Sequence, residues 1–181
     1  MYPFSRISYQ VLKWRKQPLE SWGTHVSHHR ILPWDLDMMS ELNNGLTLTI
    51  YDMGRIPFAV RTGAWQVFSQ NGLALTIAGS AVRYRKRITL FQRLEQRTRI
   101  AGWDQRFIYF DQSLWTDPDT CAGQGVFRAA VVRKGKMVSI EQEVVPLLET
   151  PGLHENRPQL PDWMAAWADA EAMRTWPPER V

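Results

Sequence analysis

One long stretch of helical periodicity, flanked on both sides by strand-like alternation, constrains the fold of this chain more than any other feature. Its apolar residues recur at intervals of three and four positions, which places on one helix face Leu46, Ile50, Met53, Pro57 and Val60. Asn43 or Asn44 offers an N-cap, and Gly63 offers a stop. We therefore predict a single long helix here, kinked or split near Ile56 by the proline that follows.

Strand-like alternation precedes this helix once and follows it several times. The segment before it, residues 24–32, alternates so that His25 and His29 share one face. Four strands are predicted after it, one beginning at Leu73 and three in the segments 88–100, 105–115 and 125–145. The last segment turns at Lys134 and Gly135. A strand, a long helix and a run of antiparallel strands form an α+β arrangement with the helix packed on one sheet face.

The composition indicates one folded domain with additions at both ends. With 181 residues and 44% hydrophobic content, the chain can bury a core, which excludes a disordered protein. We divide it into an N-terminal amphipathic segment (1–23), a central domain (24–150), and a C-terminal Pro-rich loop and helix (151–181).

Both added segments contain a predicted amphipathic helix. The N-terminal helix has an apolar face formed by Phe4, Ile7, Val11 and Trp14. The C-terminal helix begins at Pro161 and has a face formed by Trp163, Trp167, Ala170 and Arg174. We expect both helices to pack on the central domain, and binding of the first to an anionic membrane surface is the alternative.

Basic residues are concentrated in one part of the chain. Residues 83–106 contain eight basic and two acidic residues, although the whole chain has a net charge of only +4. Such a patch indicates an anionic ligand bound at one place. Basic residues interleaved with Tyr84 and Phe91 would also suit nucleic acid. The modest net charge and the lack of a recognised motif argue against that partner.

The chain offers little for metal or disulfide chemistry. A single cysteine, Cys121, excludes an intramolecular disulfide framework and a cysteine-cluster metal site. On a strand, His25 and His29 would lie about 13 Å apart, which is too far for one ion. We therefore expect no metal. Since no apolar run is long enough for a signal sequence or a membrane span, we also expect a cytoplasmic protein.

Two carboxylates, Asp35 and Asp37, stand shortly before the predicted start of the long helix. The free N–H groups at a helix start, here at Asn43, Asn44 and Gly45, can stabilise an oxyanion. A carboxylate beside them can attack a carbonyl or activate water. The alternative is that both carboxylates only accept hydrogen bonds from turn amides.

The motifs around this point resemble those of a known family. The pattern D-L-D-x-x-x-x-L-N-N, the YDMGR within the helix and the later RYRKRITLFQ are similar to hotdog-fold acyl-CoA thioesterases of the hydroxybenzoyl-CoA thioesterase kind. The similarity covers residues 24–147. It implies a hotdog fold, in which an antiparallel sheet wraps a long central helix. It also implies a homodimer or tetramer that hydrolyses acyl-CoA, without a cofactor, to a carboxylic acid and free CoA.

The resemblance also assigns roles to individual residues. By position, it makes Asp37 the nucleophile or general base. Asn44 falls where the helix start would offer a backbone N–H to the thioester oxygen, with Asn43 and Gly45 beside it as substrate-binding residues. The family commonly has Gly-His before its Asn pair, and this chain has Ser-Glu at those positions. The departure keeps open an alternative function, a non-catalytic acyl or lipid binder with weak contact to a membrane surface.

Four further residues are candidates for substrate binding. Asp52 lies where relatives contact substrate, although pairing with Arg55 three residues later is the simpler explanation. Arg83, Arg85 and Arg87 alternate along one predicted strand face and suit the phosphates of CoA. A solvated strand face is the alternative for these arginines. Dehydratases of the same fold need a histidine near position 42, where this chain has leucine, so we do not expect dehydration.

Overall fold

The computed structural model describes residues 3–148 and 158–180. The helices are α1 (Phe4–Trp14), α2 (Asn44–Arg61), α3 (Ala64–Gln70), α4 (Val145–Leu148) and α5 (Asp162–Ala172). The strands are β1 (His25–Arg30), β2 (Leu73–Tyr84), β3 (Arg93–Trp103), β4 (Phe107–Asp117), β5 (Thr120–Arg133) and β6 (Lys136–Met137). None of the helices in these residues combines the length and apolar character needed to span a bilayer. The predicted loop around Pro151 lies outside the described residues.

The strands form one antiparallel sheet in the order β1-β3-β4-β5-β2, and β6 pairs with β5. Helix α2 lies against the face of the sheet that buries Leu94, Ile100 and Phe110, which we call the inner face. Helix α5 lies on the opposite, outer face. The predicted α+β arrangement, with a sheet around a long helix and an added helix at each end, is therefore confirmed.

Helix α2 begins and ends at the predicted capping residues. The Asn43 side chain accepts hydrogen bonds from the N–H groups of Gly45 (2.8 Å) and Leu46 (3.3 Å). At the other end, Gly63 has a φ of 77°, a left-handed conformation that favours glycine. Local hydrogen bonding and backbone freedom therefore set both ends of the helix.

The predicted split of this helix near Ile56 is wrong. Helix α2 continues through Pro57 to Arg61. A proline removes one backbone hydrogen bond from a helix, but here it lies in the best buried part of the core. Met53 is fully buried and Phe58 is 2% exposed, so packing on both sides of the proline keeps the two halves in one helix.

A small polar layer joins α2 to the inner face of the sheet. The Tyr51 carbonyl accepts hydrogen bonds from Gln96 Nε2 (3.1 Å) and Gln112 Nε2 (2.9 Å). Gln112 Nε2 also lies 2.8 Å from Thr98 Oγ1. The helix can come this close because residue 54 is glycine, and a Cβ there would lie 2.5 Å from Thr98 Oγ1. Gly54 is therefore required by the contact itself.

Helix α1 packs on α2 and β1, as predicted for the N-terminal segment. Ile7 is buried, and Gln10, also buried, donates a hydrogen bond from Nε2 to the His28 carbonyl at 3.2 Å. The predicted apolar face is wrong at one position. Phe4 is 71% exposed, because it lies at the start of the helix beyond the edge of the core.

Helix α5 covers part of the outer face. Met164 is fully buried there, and the Trp167 ring meets the Tyr109 ring edge to face at 6.4 Å. The buried face of this helix differs from the predicted one. Trp163, which was predicted to lie on the buried face, is half exposed. An ion pair between Arg128 and Glu171 (3.0 Å) fastens the end of the helix to β5.

The strand predicted over residues 88–100 begins later than expected. Strand β3 starts at Arg93, and the residues before it form a turn in which Phe91 has a φ of 61°. The Gln92 side chain closes this turn by accepting a hydrogen bond from the Thr89 N–H at 3.0 Å. The alternation from Leu94 onward is as predicted, with exposed arginines between buried residues.

The strand predicted over residues 125–145 is correct only in its first part. Strand β5 starts earlier, at Thr120, and turns as predicted at Lys134 and Gly135. After the two residues of β6 the chain becomes helical at Ile140. The side chain of Ser139 caps this helix by accepting a hydrogen bond from a backbone N–H, which ends the strand.

Strand β1 places two histidines in the core. His25 Nδ1 lies 2.8 Å from Arg61 Nη1, and His29 Nε2 lies 3.0 Å from Ser27 Oγ. Burial, helped by the nearby Arg61 charge, lowers the pKa of His25 to about 4. Burial, helped by the Arg6 charge, lowers the pKa of His29 to about 3. Both side chains are therefore neutral at pH 7.

We predict that Gly54→Ala lowers the free energy of unfolding by about 1–3 kcal/mol, the usual cost of overpacking. In urea denaturation the midpoint should fall. Gly to Ala at an unconstrained helix position instead raises stability by about 0.4–1 kcal/mol. A midpoint equal to or above that of the wild type would therefore contradict the close contact between α2 and the sheet.

We also predict that the protein loses stability as the pH falls below about 6.5. In that range the unfolded chain takes up protons on both histidines, whereas folded His25 and His29 stay neutral until about pH 4 and about pH 3. Each proton contributes up to about 1.4 kcal/mol per pH unit. Urea unfolding at several pH values between 7 and 4.5 gives the free energy of unfolding as a function of pH. The slope of this dependence should be clearly smaller in His29→Gln than in the wild type. The exposed His28→Gln is the matched control, and an equal slope in His29→Gln and wild type would refute the assignment.

Candidate active site

The segment between β1 and α2 folds back on itself as a short hairpin, residues 35–43, which we call the site hairpin. At its base the Asn43 N–H donates to the Asp35 carbonyl at 2.9 Å. Closer to its tip the Asp37 N–H donates to the Glu41 carbonyl at 2.8 Å. The hairpin therefore brings the second aspartate and the start of α2 into one short, hydrogen-bonded unit.

The first aspartate of the motif is occupied by structural contacts. Asp35 is buried, and both of its carboxylate oxygens lie 2.9 Å from Arg6 Nη1. One of these oxygens also accepts a hydrogen bond from the Leu32 N–H at 2.9 Å. Arg6 in turn donates to the carbonyl of Arg30 at 3.0 Å. Asp35 thus ties α1 to the base of the site hairpin and has no free oxygen for chemistry.

The second aspartate is only half engaged. Asp37 Oδ1 accepts hydrogen bonds from the N–H groups of Met39 (2.8 Å) and Glu41 (3.3 Å). The predicted alternative, bonding to turn amides, therefore holds for this oxygen. Among the described residues, no donor lies within hydrogen-bond distance of Asp37 Oδ2. A carboxylate that is half-buried, fixed by one oxygen and open at the other can act on a substrate.

The backbone N–H groups at the start of α2 differ in whether they have a hydrogen-bond acceptor. The N–H groups of Gly45 and Leu46 are taken by the Asn43 side chain, and that of Thr47 donates to the Asn43 carbonyl at 2.8 Å. In the part of the chain that the structure describes, nothing accepts a hydrogen bond from the Asn44 N–H. Asn44 is exposed, so this donor and the positive end of the helix dipole face solvent.

The two residues that depart from the family pattern both shape the hairpin tip. Ser40 has a φ of 59°, a left-handed conformation that explains why glycine suits this position. Glu41 pairs with Arg87 at 2.7 Å. Arg87 also lies 3.4 Å from the Met39 carbonyl, and Leu42 N–H donates to the carbonyl of Ile88 at 2.8 Å. The loop after β2 is therefore bound to the site hairpin.

The three arginines predicted to share one strand face do not do so. Strand β2 ends at Tyr84, so only Arg83 lies on it. Arg83 lines a cavity of about 450 Å³ between the outer face and α5. Arg85 and Arg87 follow in the loop, and Arg87 turns toward the site hairpin. All three are exposed.

The acid on α2 is paired as expected. Arg55 donates hydrogen bonds to Asp52 and to the Gln112 side chain, and its guanidinium lies 4.0 Å from the centre of the Phe127 ring. The predicted Asp52–Arg55 pair is therefore confirmed. Contact between Asp52 and a substrate stays a prediction.

Residues 3–148 and 158–180 contain no group of three His, Cys, Asp or Glu side chains that could hold a metal ion. They do contain a further cavity of about 540 Å³ beside the site hairpin, which the sequence patterns did not indicate. Its walls come from α1, α2 and the turn that carries Trp34. Periodicity describes one element at a time, so a cavity made by three elements leaves no signal in it.

Comparison with known proteins gives a family and a fold. The model of the family described as the thioesterase-like superfamily matches residues 31–168. Protein THEM6 of Xenopus laevis is 33% identical over 111 residues, which are 60% of this chain and 54% of that protein. The chain therefore spans about half the length of this curated relative.

Solved structures of hotdog-fold thioesterases match the chain over most of its length. YbaW, a probable thioesterase from Escherichia coli, has a TM-score of 0.65 at 15% identity, over 69% of this chain and 96% of that one. A DHNA-CoA thioesterase from Staphylococcus aureus has a TM-score of 0.60 at 13% identity, over 83% of this chain and 92% of that one. These matches confirm the predicted hotdog fold.

Proposed function

We propose that this chain, which belongs to the thioesterase-like superfamily, hydrolyses an acyl-CoA thioester to a carboxylic acid and free CoA. One observation carries the proposal. Among the described residues, Asp37 Oδ2 has no hydrogen-bond donor and the Asn44 N–H has no acceptor; Asp37 lies in the site hairpin, and Asn44 directly follows it. Hydrolysis of a thioester needs these two groups, one to attack or activate water and one to stabilise the oxyanion.

In the proposed reaction Asp37 either attacks the thioester carbon or takes a proton from the water that attacks it. The carbonyl oxygen becomes an oxyanion and accepts a hydrogen bond from the Asn44 N–H, at the positive end of α2. The thiolate of CoA then leaves. Asn43 keeps the neighbouring N–H groups occupied, including that of Gly45, so its role is to shape the helix start.

The basic residues near the hairpin support CoA as the leaving group. Arg87 is fixed to the hairpin through Glu41, so it is the arginine best placed for a phosphate beside the site. Arg85 lies in the same loop, and Arg83 lies on the preceding strand. The reaction needs no metal or redox cofactor, because a carboxylate and an oxyanion donor suffice for a thioester.

We also propose that the chain acts as a homodimer. Within the described residues β2 pairs only with β5, which leaves its other edge unpaired along Leu73–Tyr84. Leu75, Ile77 and Tyr84 on this strand are partly exposed. An unpaired strand of this length is a template for pairing with a second copy.

One observation favours the alternative function, a non-catalytic acyl or lipid binder at a membrane surface. The site hairpin exposes large apolar side chains, with Met38 at 95% and Met39 at 65% exposure. Arg85 and Lys86 in the adjoining loop are exposed cations. Apolar side chains next to cations suit a membrane surface. A measurement of thiol release distinguishes the two functions, because only a hydrolase releases thiol from acyl-CoA and loses this activity in an Asp37 variant.

We predict that Asp37→Asn lowers the rate of thiol release from acyl-CoA by at least about 10²-fold, because an amide is neither a nucleophile nor a base here. Its oxygen can still accept the Met39 N–H, so the hairpin should stay folded. The measurement is a thiol assay over short and long, aliphatic and aromatic acyl-CoAs. Asp162→Asn, at an exposed position of α5, is the matched control. Near-normal turnover in Asp37→Asn would overturn the assignment.

We predict that Asn44→Pro lowers kcat by about 10²-fold or more, because it removes the one N–H assigned to the oxyanion. Proline is well tolerated at the first position of a helix. Asn43 already has a ψ of 134°, the extended conformation that a following proline requires. The comparison is Asn44→Ala, which keeps the N–H. Equal kcat values in the Pro and Ala variants would exclude this donor from catalysis.

A further inference from the structure

The cavity beside the site hairpin, which we call the α1–α2 cavity, is lined mainly by apolar side chains. It has a volume of about 540 Å³, in the range of small-molecule sites. The residues that make its walls include Phe4, Trp34, Leu46, Thr49, Ile50 and Met53. Phe4 and Trp34 are 71% and 69% exposed, so much of each aromatic side chain is accessible to solvent at this cavity.

The charges in this cavity are paired with each other. Arg6 and Asp35 both line it, and the Asp35 carboxylate receives Arg6 Nη1 at 2.9 Å from each oxygen. The pair leaves no net charge for a ligand to neutralise. The remaining polar side chains in the walls are the hydroxyls of Ser5 and Thr49. An uncharged, apolar group is therefore the ligand that these walls fit.

Two residues of the cavity wall are close in sequence to the candidate active site. Asp35 lies at the base of the site hairpin, and Leu46 is two residues after Asn44. From Leu46 the wall follows one face of α2 through Ile50 to Met53, at intervals of four and three residues. A group held at the helix start can thus extend along this face under α1.

We propose that the α1–α2 cavity holds the acyl chain of the substrate, and that this chain is an aliphatic one of about ten or more carbons. This inference rests on the proposed thioesterase function. A chain of ten carbons, counted as ten groups of about 30 Å³ each, needs roughly 300 Å³, which the cavity provides. Phe4 and Trp34 would cover the chain. Because α1 forms one wall of the cavity, the N-terminal segment would determine which acyl lengths fit.

The test is to narrow the cavity from a half-buried wall position. In Thr49→Phe, decanoate binding measured by calorimetry should weaken at least about ten-fold. The kcat/KM for decanoyl-CoA should fall by at least about ten-fold, while that for acetyl-CoA should change less than about two-fold. Ser5→Phe narrows the cavity from the opposite, exposed wall and should act in the same direction. Ser69→Phe, at an exposed position of α3, is the matched control, and circular dichroism checks each fold.

Two outcomes separate this inference from the proposed function. If the wild type releases thiol from decanoyl-CoA but Thr49→Phe and Ser5→Phe bind and hydrolyse as it does, the cavity assignment fails and the thioesterase stands. If the wild type binds decanoate and both variants lose it, but no acyl-CoA is hydrolysed, the cavity stands and the thioesterase fails. Absence of decanoate binding by the wild type overturns the cavity assignment.

Discussion

The contact between the Tyr51 carbonyl and two glutamine side chains holds the long helix at a set distance from the sheet. It is possible only because Gly54 lets the helix backbone approach. Both glutamines are completely buried, so their amides would be costly to leave unpaired. The contact therefore locks the helix in rotation and in position along its axis. Because the start of α2 carries the Asn44 N–H, the orientation of the candidate oxyanion site depends on it.

Local features of the fold were predictable, and contacts between distant segments were not. The caps of α2 at Asn43 and Gly63 depend on neighbouring residues, so their sequence signals were sufficient. The start of β3 was mispredicted, because a turn with Phe91 in the left-handed conformation precedes the strand. In the site, the motif identified Asp37. Only the structure shows that the other carboxylate of the motif, Asp35, pairs with Arg6.

Asp35 and Asp37 are only two residues apart, but they have different surroundings because different groups contact their carboxylates. Asp35 meets a guanidinium from another helix and becomes a structural anchor. Asp37 meets only amides of its own turn and keeps one oxygen open. The Arg6–Asp35 pair fixes the base of the hairpin that carries Asp37. In the proposed reaction, this ion pair would act only through the position of the hairpin.

Helix α5 has a consequence for how copies of this chain can assemble. Met164 of this helix is fully buried against the outer face and Trp167 is half-buried, so α5 removes part of that face from contact with other molecules. Elsewhere on the outer face, within the described residues, Arg97 and Arg99 are exposed and Trp115 is half-buried. In the proposed homodimer, a second dimer that packs on the outer face would contact this polar part and not the part under α5. Helix α5 would therefore limit the geometry of any larger assembly.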